Sequence, residues 1–314
     1  VTAVLPLDRF SAEHYQPTRV PREVLRHSGV PYMLGVGAPG KVGLLELGFE
    51  RVTERTELVR RYQKSPLQIM RPLYIDPLRP DLAVVFLMST GGGIVQADRL
   101  RMDIDCGADT SVHLTTQAAT RVHRMDRDYA TQVTHLDVGP RSYVEYLPES
   151  VIPYGGARYY QQTVVTADPT ATILIGEGVH TGRHAHGEHH HYDVFASDLE
   201  IRRPDGDLVA VDAVRLDPGT APVAGPGVLG NHTLMSTFYA VSPLRPAADI
   251  ATAIHTALQG APVSFGTSVL PQDSGAWVRV LGNDSPAMVA AMRSVWNAVR
   301  QSLIDVPAPA LRKT

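Results

Sequence analysis

From Val42 onward the chain breaks into many short β-rich runs. In Arg99–Cys106, Leu100, Met102 and Ile104 alternate with Arg99, Arg101 and Asp103, the two-residue period of a half-buried strand. Leu82–Met88 is continuously apolar, as a strand buried on both faces is. Val112–Thr116, Gln132–Val138, Tyr143–Leu147, Tyr159–Val165 and Ala171–Ile175 carry the same texture, punctuated by Gly, Pro, Asp and Asn. Leu199–Arg202 and Leu208–Val211 flank Arg203-Pro204-Asp205-Gly206-Asp207, a hairpin signal. Strands at this spacing without intervening helices predict a mainly β body.

The pattern changes near the end. Seven of the fourteen positions from Asp217 to Gly230 are Gly or Pro, the texture of a linker or a long surface loop. Beyond it, Leu234–Val241, Val263–Val269 and Ala276–Leu281 read as strands. Ala247–Gln259 reads as a helix, with Ile250, Ile254 and Leu258 four apart and Gly260 placed to stop it. A second helix starts with Ser285 as its cap and Pro286 at its first position. It presents Met288, Met292, Val295, Val299 and Leu303, and Pro307 ends it. The expected organisation is an irregular arm (1–30) with a helical turn near Arg22–His27, a β-rich body (31–217), a Pro/Gly linker (218–230) and an α+β unit (231–314) carrying two helices.

Composition narrows the chemistry. In 314 residues the net charge is −3, which argues against a clustered basic face for nucleic acid. No apolar run approaches a membrane helix, and the first residues do not read as a signal peptide, so the expected location is the cytoplasm. One cysteine, Cys106, excludes a multi-cysteine metal site. Histidine is the outlier: six of the 13 lie between His180 and His191.

Gly35–Val42 resembles a phosphate-binding loop, but Val42 stands where a magnesium-holding Ser or Thr is needed and Pro39 removes a backbone donor. The histidine run matches no hydrolytic zinc pattern: H-E-x-x-H is absent, and Ala185 breaks H-x-x-E-H. Imidazole suits nickel, zinc and copper, and alternation would give His184 and His186 one strand face. The run therefore reads either as a site of transient metal contact or as a solvated polar loop. No serine sits in a nucleophile elbow.

Two segments are the centre of a resemblance. They are Ser89-Thr90-Gly91-Gly92-Gly93-Ile94-Val95-Gln96-Ala97-Asp98 and Leu114-Thr115-Thr116-Gln117-Ala118-Ala119-Thr120-Arg121. With Gly43–Phe49, Pro66-Leu67, Arg71-Pro72, Glu145–Glu149, Ile152–Tyr154, Gly182-Arg183 and Gly187-Glu188 in order, the chain resembles the UreD/UreH family of urease accessory proteins. It departs from the family pattern at Thr90-Gly91 for Pro, Ala97-Asp98 for Gly-Asp, and His123 for Tyr.

The resemblance implies a mainly β protein of stacked, β-helical-like sheets with a small helical C-terminal part. It implies no catalysis, partnership with UreF, with the GTPase UreG and with urease apoprotein, and nickel in transit rather than bound permanently. By motif matching, Asp98, Glu177 and Glu188 are the acidic residues of that route, and His184 and His186 are candidate additions. The rivals are a metal-dependent hydrolase built on His180–His191 and an assembly scaffold with no metal role.

Overall fold

The computed structural model describes residue 9, residues 11–29 and residues 42–311. The phosphate-loop-like turn Gly35–Lys41 lies outside the described residues. The chain is mainly β and is built as stacked, solenoid-like coils. A helical turn, α1 (Arg22–Leu25), precedes the hairpin β1 (Val42–Val52) and β2 (Arg55–Lys64). Short β3 (Leu67–Gln68) leads to β4 (Ala83–Ser89), β5 (Arg99–Cys106), β6 (Ser111–Thr116), β7 (Thr120–Val122), β8 (Ala130–Val138) and β9 (Tyr143–Tyr146). Then come β10 (Val151–Pro153), β11 (Arg158–Ala167), β12 (Thr172–His180), β13 (Val194–Arg202) and β14 (Leu208–Leu216). The last part is β15 (Leu234–Val241), α2 (Ala247–Leu258), β16 (Ser264–Val269), β17 (Gly275–Gly282) and α3 (Ser285–Ile304).

From β4 to β13 the long strands alternate between two sheets. β5, β8, β11 and β13 pair parallel in one, beside β1, and β4, β6, β9 and β12 pair parallel in the other. A parallel pair ordinarily needs a long crossover; here the strand of the opposite sheet supplies it. Antiparallel β2 and β14 close the edges of the seven-stranded sheet. The ten-stranded sheet continues antiparallel through β15, β17 and β16.

Side-chain alternation then assigns the layers. Leu45, Leu47, Met102, Ile104 and Val165 meet Leu87, Leu114, Ile173 and Ile175 between the sheets. The other face of the ten-stranded sheet carries Leu174, Phe238, Val278 and Val280, covered by Ile250 and Ile254 of α2 and Val295 and Val299 of α3. Val85 and Leu87 face the first core and Leu82 and Val84 the second, which is why the run around β4 is apolar throughout.

Two local expectations need correction. Asp284, not Ser285, caps α3: its carboxylate accepts the Ala287 N–H at 2.9 Å. A short ionised acceptor suits the positive helix end better than a hydroxyl. Arg101, on the nominally outer face of β5, is buried because the arm lies over it, with its Nη1 donating to the His14 carbonyl at 2.9 Å.

Candidate functional site

The two motif segments, β4–β5 loop and β6–β7 connection, are pinned together. Ile94 N–H donates to the Arg121 carbonyl at 2.8 Å, and His123 N–H donates to the Ile94 carbonyl at 2.9 Å. Gly93 takes φ 147°, and a Cβ there would sit 2.6 Å from the Arg121 carbonyl oxygen, so the close approach requires glycine. Gly91–Gly93 and Thr116–Arg121 form one rim of a cavity of about 250 Å³ between the two sheets. Its polar wall is Gln132, Gln161 and Thr163 from the seven-stranded sheet and Glu177 from β12.

Glu177 reaches across the sandwich. Thr163 Oγ1 donates to its Oε1 and Ser197 Oγ to its Oε2, each at 3.2 Å. Gly176 and Gly178, its neighbours along β12, carry no side chains on the strand's other face. A second cavity, of about 390 Å³, opens there between the ten-stranded sheet and α3. The two cavities share Pro148, Glu149, Glu177 and Gly178 in their walls. His180, at the end of β12, and His113 line the second.

Burial pushes the Glu177 carboxyl up to about 7; nearby Asp212 adds to this, and the Ser197 and Thr163 hydroxyls oppose it. The folded chain therefore keeps a proton that the unfolded chain releases near 4.5. The group costs no stability below that value and destabilises progressively as pH rises toward 7. Glu177→Gln, which holds the shape without the charge, is expected to stabilise the fold near pH 8 by on the order of 2 kcal/mol and to leave it unchanged near pH 4. Thermal melts at both pH values check this; a difference independent of pH contradicts a buried charge at Glu177.

The other sequence-predicted residues are dispersed. Asp98 is 2% exposed; its Oδ2 accepts the Val95 N–H at 2.9 Å, and its Oδ1 has no partner. Burial pushes its carboxyl up to about 6. It closes the turn after the glycine loop and does not line either cavity. Preceding it, Ala97 takes φ 63°, the left-handed region that favours glycine, at the position where the family pattern carries glycine.

Glu188 lies in a different, polar cleft with Arg124, Tyr154, Arg158 and Asp193. Arg183 grips both its oxygens, with Nε to Oε2 at 2.8 Å, and Gly155 N–H donates to Oε2 at 3.3 Å. The bond from Arg183 pulls the Glu188 carboxyl down to about 2. The strand β12 runs through His180, and His184–His186 forms a 3-10 turn. His184 and His186 therefore do not share a strand face. His184 stacks between His180 and His189, with ring centroids 5.8 and 5.0 Å apart, while His186 is exposed. Burial pushes the His180 imidazole down to about 4, which keeps its lone pair free at neutral pH. Among the described residues, the histidine run supplies no three ligand atoms all within 4.8 Å of one another.

A family model described as UreD urease accessory protein matches residues 41–314. The chain belongs to the UreD family. A UreD protein of Streptomyces griseus, "Urease accessory protein UreD 2", is 53% identical over 91% of this chain and 98% of its own length. A protein of the same name from Brucella canis is 35% identical over 92% of this chain and 96% of its own. "Urease accessory protein UreD" of Haloarcula marismortui is 36% identical over 88% and 92%.

Membership agrees with the stacked-strand architecture expected of a UreD protein. Among the described residues no helix is long and apolar enough to cross a membrane. Sequence reading of this UreD chain missed the partners of Glu177 and the place of His180 and His189 in the imidazole stack. Thr163 and Ser197 are fourteen and twenty residues from Glu177, on strands of the other sheet. The flanking glycines of Gly176-Glu177-Gly178 were the one local sign that this carboxylate has open space beside it.

Proposed function

We propose that this chain is a non-catalytic urease accessory protein, a scaffold and conduit through which nickel passes to apo-urease in a complex with UreF and UreG. The observation that carries the reading is the pair of cavities sharing Glu177. A conduit must hold an ion firmly enough to admit it and loosely enough to release it. A carboxyl whose proton leaves near pH 7 does this: nickel displaces a proton on entry, and a proton helps displace nickel on exit. The neutral imidazoles of His180 and His184 offer further single contacts, and Cys106, buried and with its thiol pushed up by burial, offers no thiolate trap. In this reading Asp98 and Glu188 hold the loops around the route, because their oxygens are engaged or shut away.

The membership in a family named for urease accessory proteins supports the destination. Urease matured in vitro with UreF, UreG and a Glu177→Ala variant is expected to carry severalfold less nickel than with the parent chain, while the accessory complex assembles normally. Full nickel content with the variant overturns the assignment of Glu177 to the route.

A further inference from the structure

On the face of the seven-stranded sheet turned away from the first cavity, the arm covers a row of ionisable side chains. Glu46 on β1 is in register with Asp103 on β5, and Asp103 is in register with His135 on β8. The three stand abreast on adjacent strands. His14, in the 3-10 turn Ala12–Tyr15, lies over them. Among the described residues, His14, Glu46 and Asp103 form the one group of at least three His, Cys, Asp or Glu whose ligand atoms all lie within 4.8 Å of one another.

A simple clip for the arm accounts for most of these contacts. Arg9 pairs with Glu46, Nε to Oε1 at 3.0 Å. Arg101 donates to Asp103 Oδ2 at 2.7 Å, to His135 Nδ1 at 2.9 Å and to the His14 carbonyl at 2.9 Å. His135 Nδ1 also lies 3.2 Å from Asp103 Oδ1. None of these contacts uses the His14 ring. That ring is 6% exposed, and neither Nδ1 nor Nε2 has a hydrogen-bond partner. Leaving a buried polar atom unpaired carries the full cost of its desolvation. The clip does not explain why a histidine sits there.

We infer that His14, Glu46 and Asp103 form a binding site for a divalent first-row transition ion, filled by nickel or zinc. One imidazole and two carboxylates suit such an ion, and three protein ligands leave positions for water. Glu46 and Asp103 are paired with Arg9 and Arg101; an arriving dication replaces Arg9 on Glu46 without leaving a carboxylate bare, and with Arg101 still on Asp103 the cluster then carries one excess positive charge. His14 precedes the residues that match the family model, whereas Glu46 and Asp103 lie within them, so the site forms only when the arm is docked on the sheet. It is separate from Glu177 and does not depend on the conduit reading.

Equilibrium dialysis of the full chain against Ni²⁺ alone and Zn²⁺ alone tests this. The five histidines of the run beyond His180 are first changed to Asn (His184, His186, His189, His190 and His191). This background is expected to keep one equivalent of at least one of the two ions. Adding His14→Ala, or separately Glu46→Gln, is expected to weaken that equivalent by more than the roughly 10–100-fold that follows loss of an outer partner. Circular dichroism confirms that each variant is folded, and Asp103→Asn replaces any that is not. No bound equivalent of either ion in the background, or an equivalent that either folded variant leaves unchanged, overturns the site.

Discussion

Replacing Arg300 with alanine is expected to destabilise the chain by about 3–5 kcal/mol, the cost of leaving a buried charge without its partner. Arg300 on α3 is fully buried. Its Nη2 donates to Asp76 Oδ2 at 2.6 Å and its Nη1 to Glu145 Oε1 at 3.1 Å. Glu145 on β9 also bonds His113 Nδ1 and the Tyr143 hydroxyl, both at 2.6 Å. Against the cost of burial, the bond with His113 and the charge of Arg300 pull the Glu145 carboxyl down to about 2. Its contribution is therefore complete above the ordinary glutamate value of 4.5 and is lost as pH falls toward 2.

With Arg300 gone, two carboxylates stay buried with too few positive partners, and α3 loses its polar anchor to the sheet. Since α3 walls the second cavity, that cavity is expected to open. Urea denaturation at neutral pH measures the loss. A triple variant that also changes Asp76 to Asn and Glu145 to Gln, which removes the stranded charges, is expected to recover much of it. A loss below about 1 kcal/mol for Arg300→Ala, the range of an exposed pair, contradicts the buried network.

Much of the fold was legible along the chain. β5 has the bounds its alternation predicts and β15 the bounds of its apolar run, because each buries one or both faces in a regular layer. Sequence alone predicts this strand only to Ile175, because glycine weakens an isolated strand; β12 runs on to His180. Pairing with β15 along the whole length to His180 outweighs that penalty. The 3-10 turn at His184 is illegible for a different reason: it is closed by short-range contacts such as the Arg183–Glu188 pair, and alternation carries no information about a turn.

The candidate sites divide in the same way. The Gly91–Gly93 and Thr116–Arg121 motifs carry the family resemblance because both are local sequence, but that they form one rim is visible only in the fold. Which acidic residue faces open space was not legible. Asp98, Glu177 and Glu188 look alike as letters, yet one closes a turn, one crosses the sandwich and one is gripped by Arg183. His14, Glu46 and Asp103 lie at unrelated sequence positions, and only parallel register and arm docking bring them together. Arg300 is illegible in the sequence because a helix stripe is counted from its apolar positions, and an arginine within it passes for solvated surface.

In the proposed conduit, nickel passes between the two cavities at the Glu177–Gly178 seam. Filling the seam should block it without removing a ligand. A Cβ at Gly178 would lie 2.5 Å from Ser150 Oγ and 3.1 Å from Ser236 Oγ, so a valine there occupies the space that the glycine leaves, and Ser150→Ala relieves the tighter contact. Glu177 keeps its oxygens, and the outer surfaces of the chain are unchanged. The most direct test is the nickel content of urease matured in a purified system by the Gly178→Val, Ser150→Ala variant, with complex formation followed in parallel. The conduit predicts that assembly is normal while nickel content falls severalfold. Urease loaded to the parent level by that variant would contradict passage through the seam.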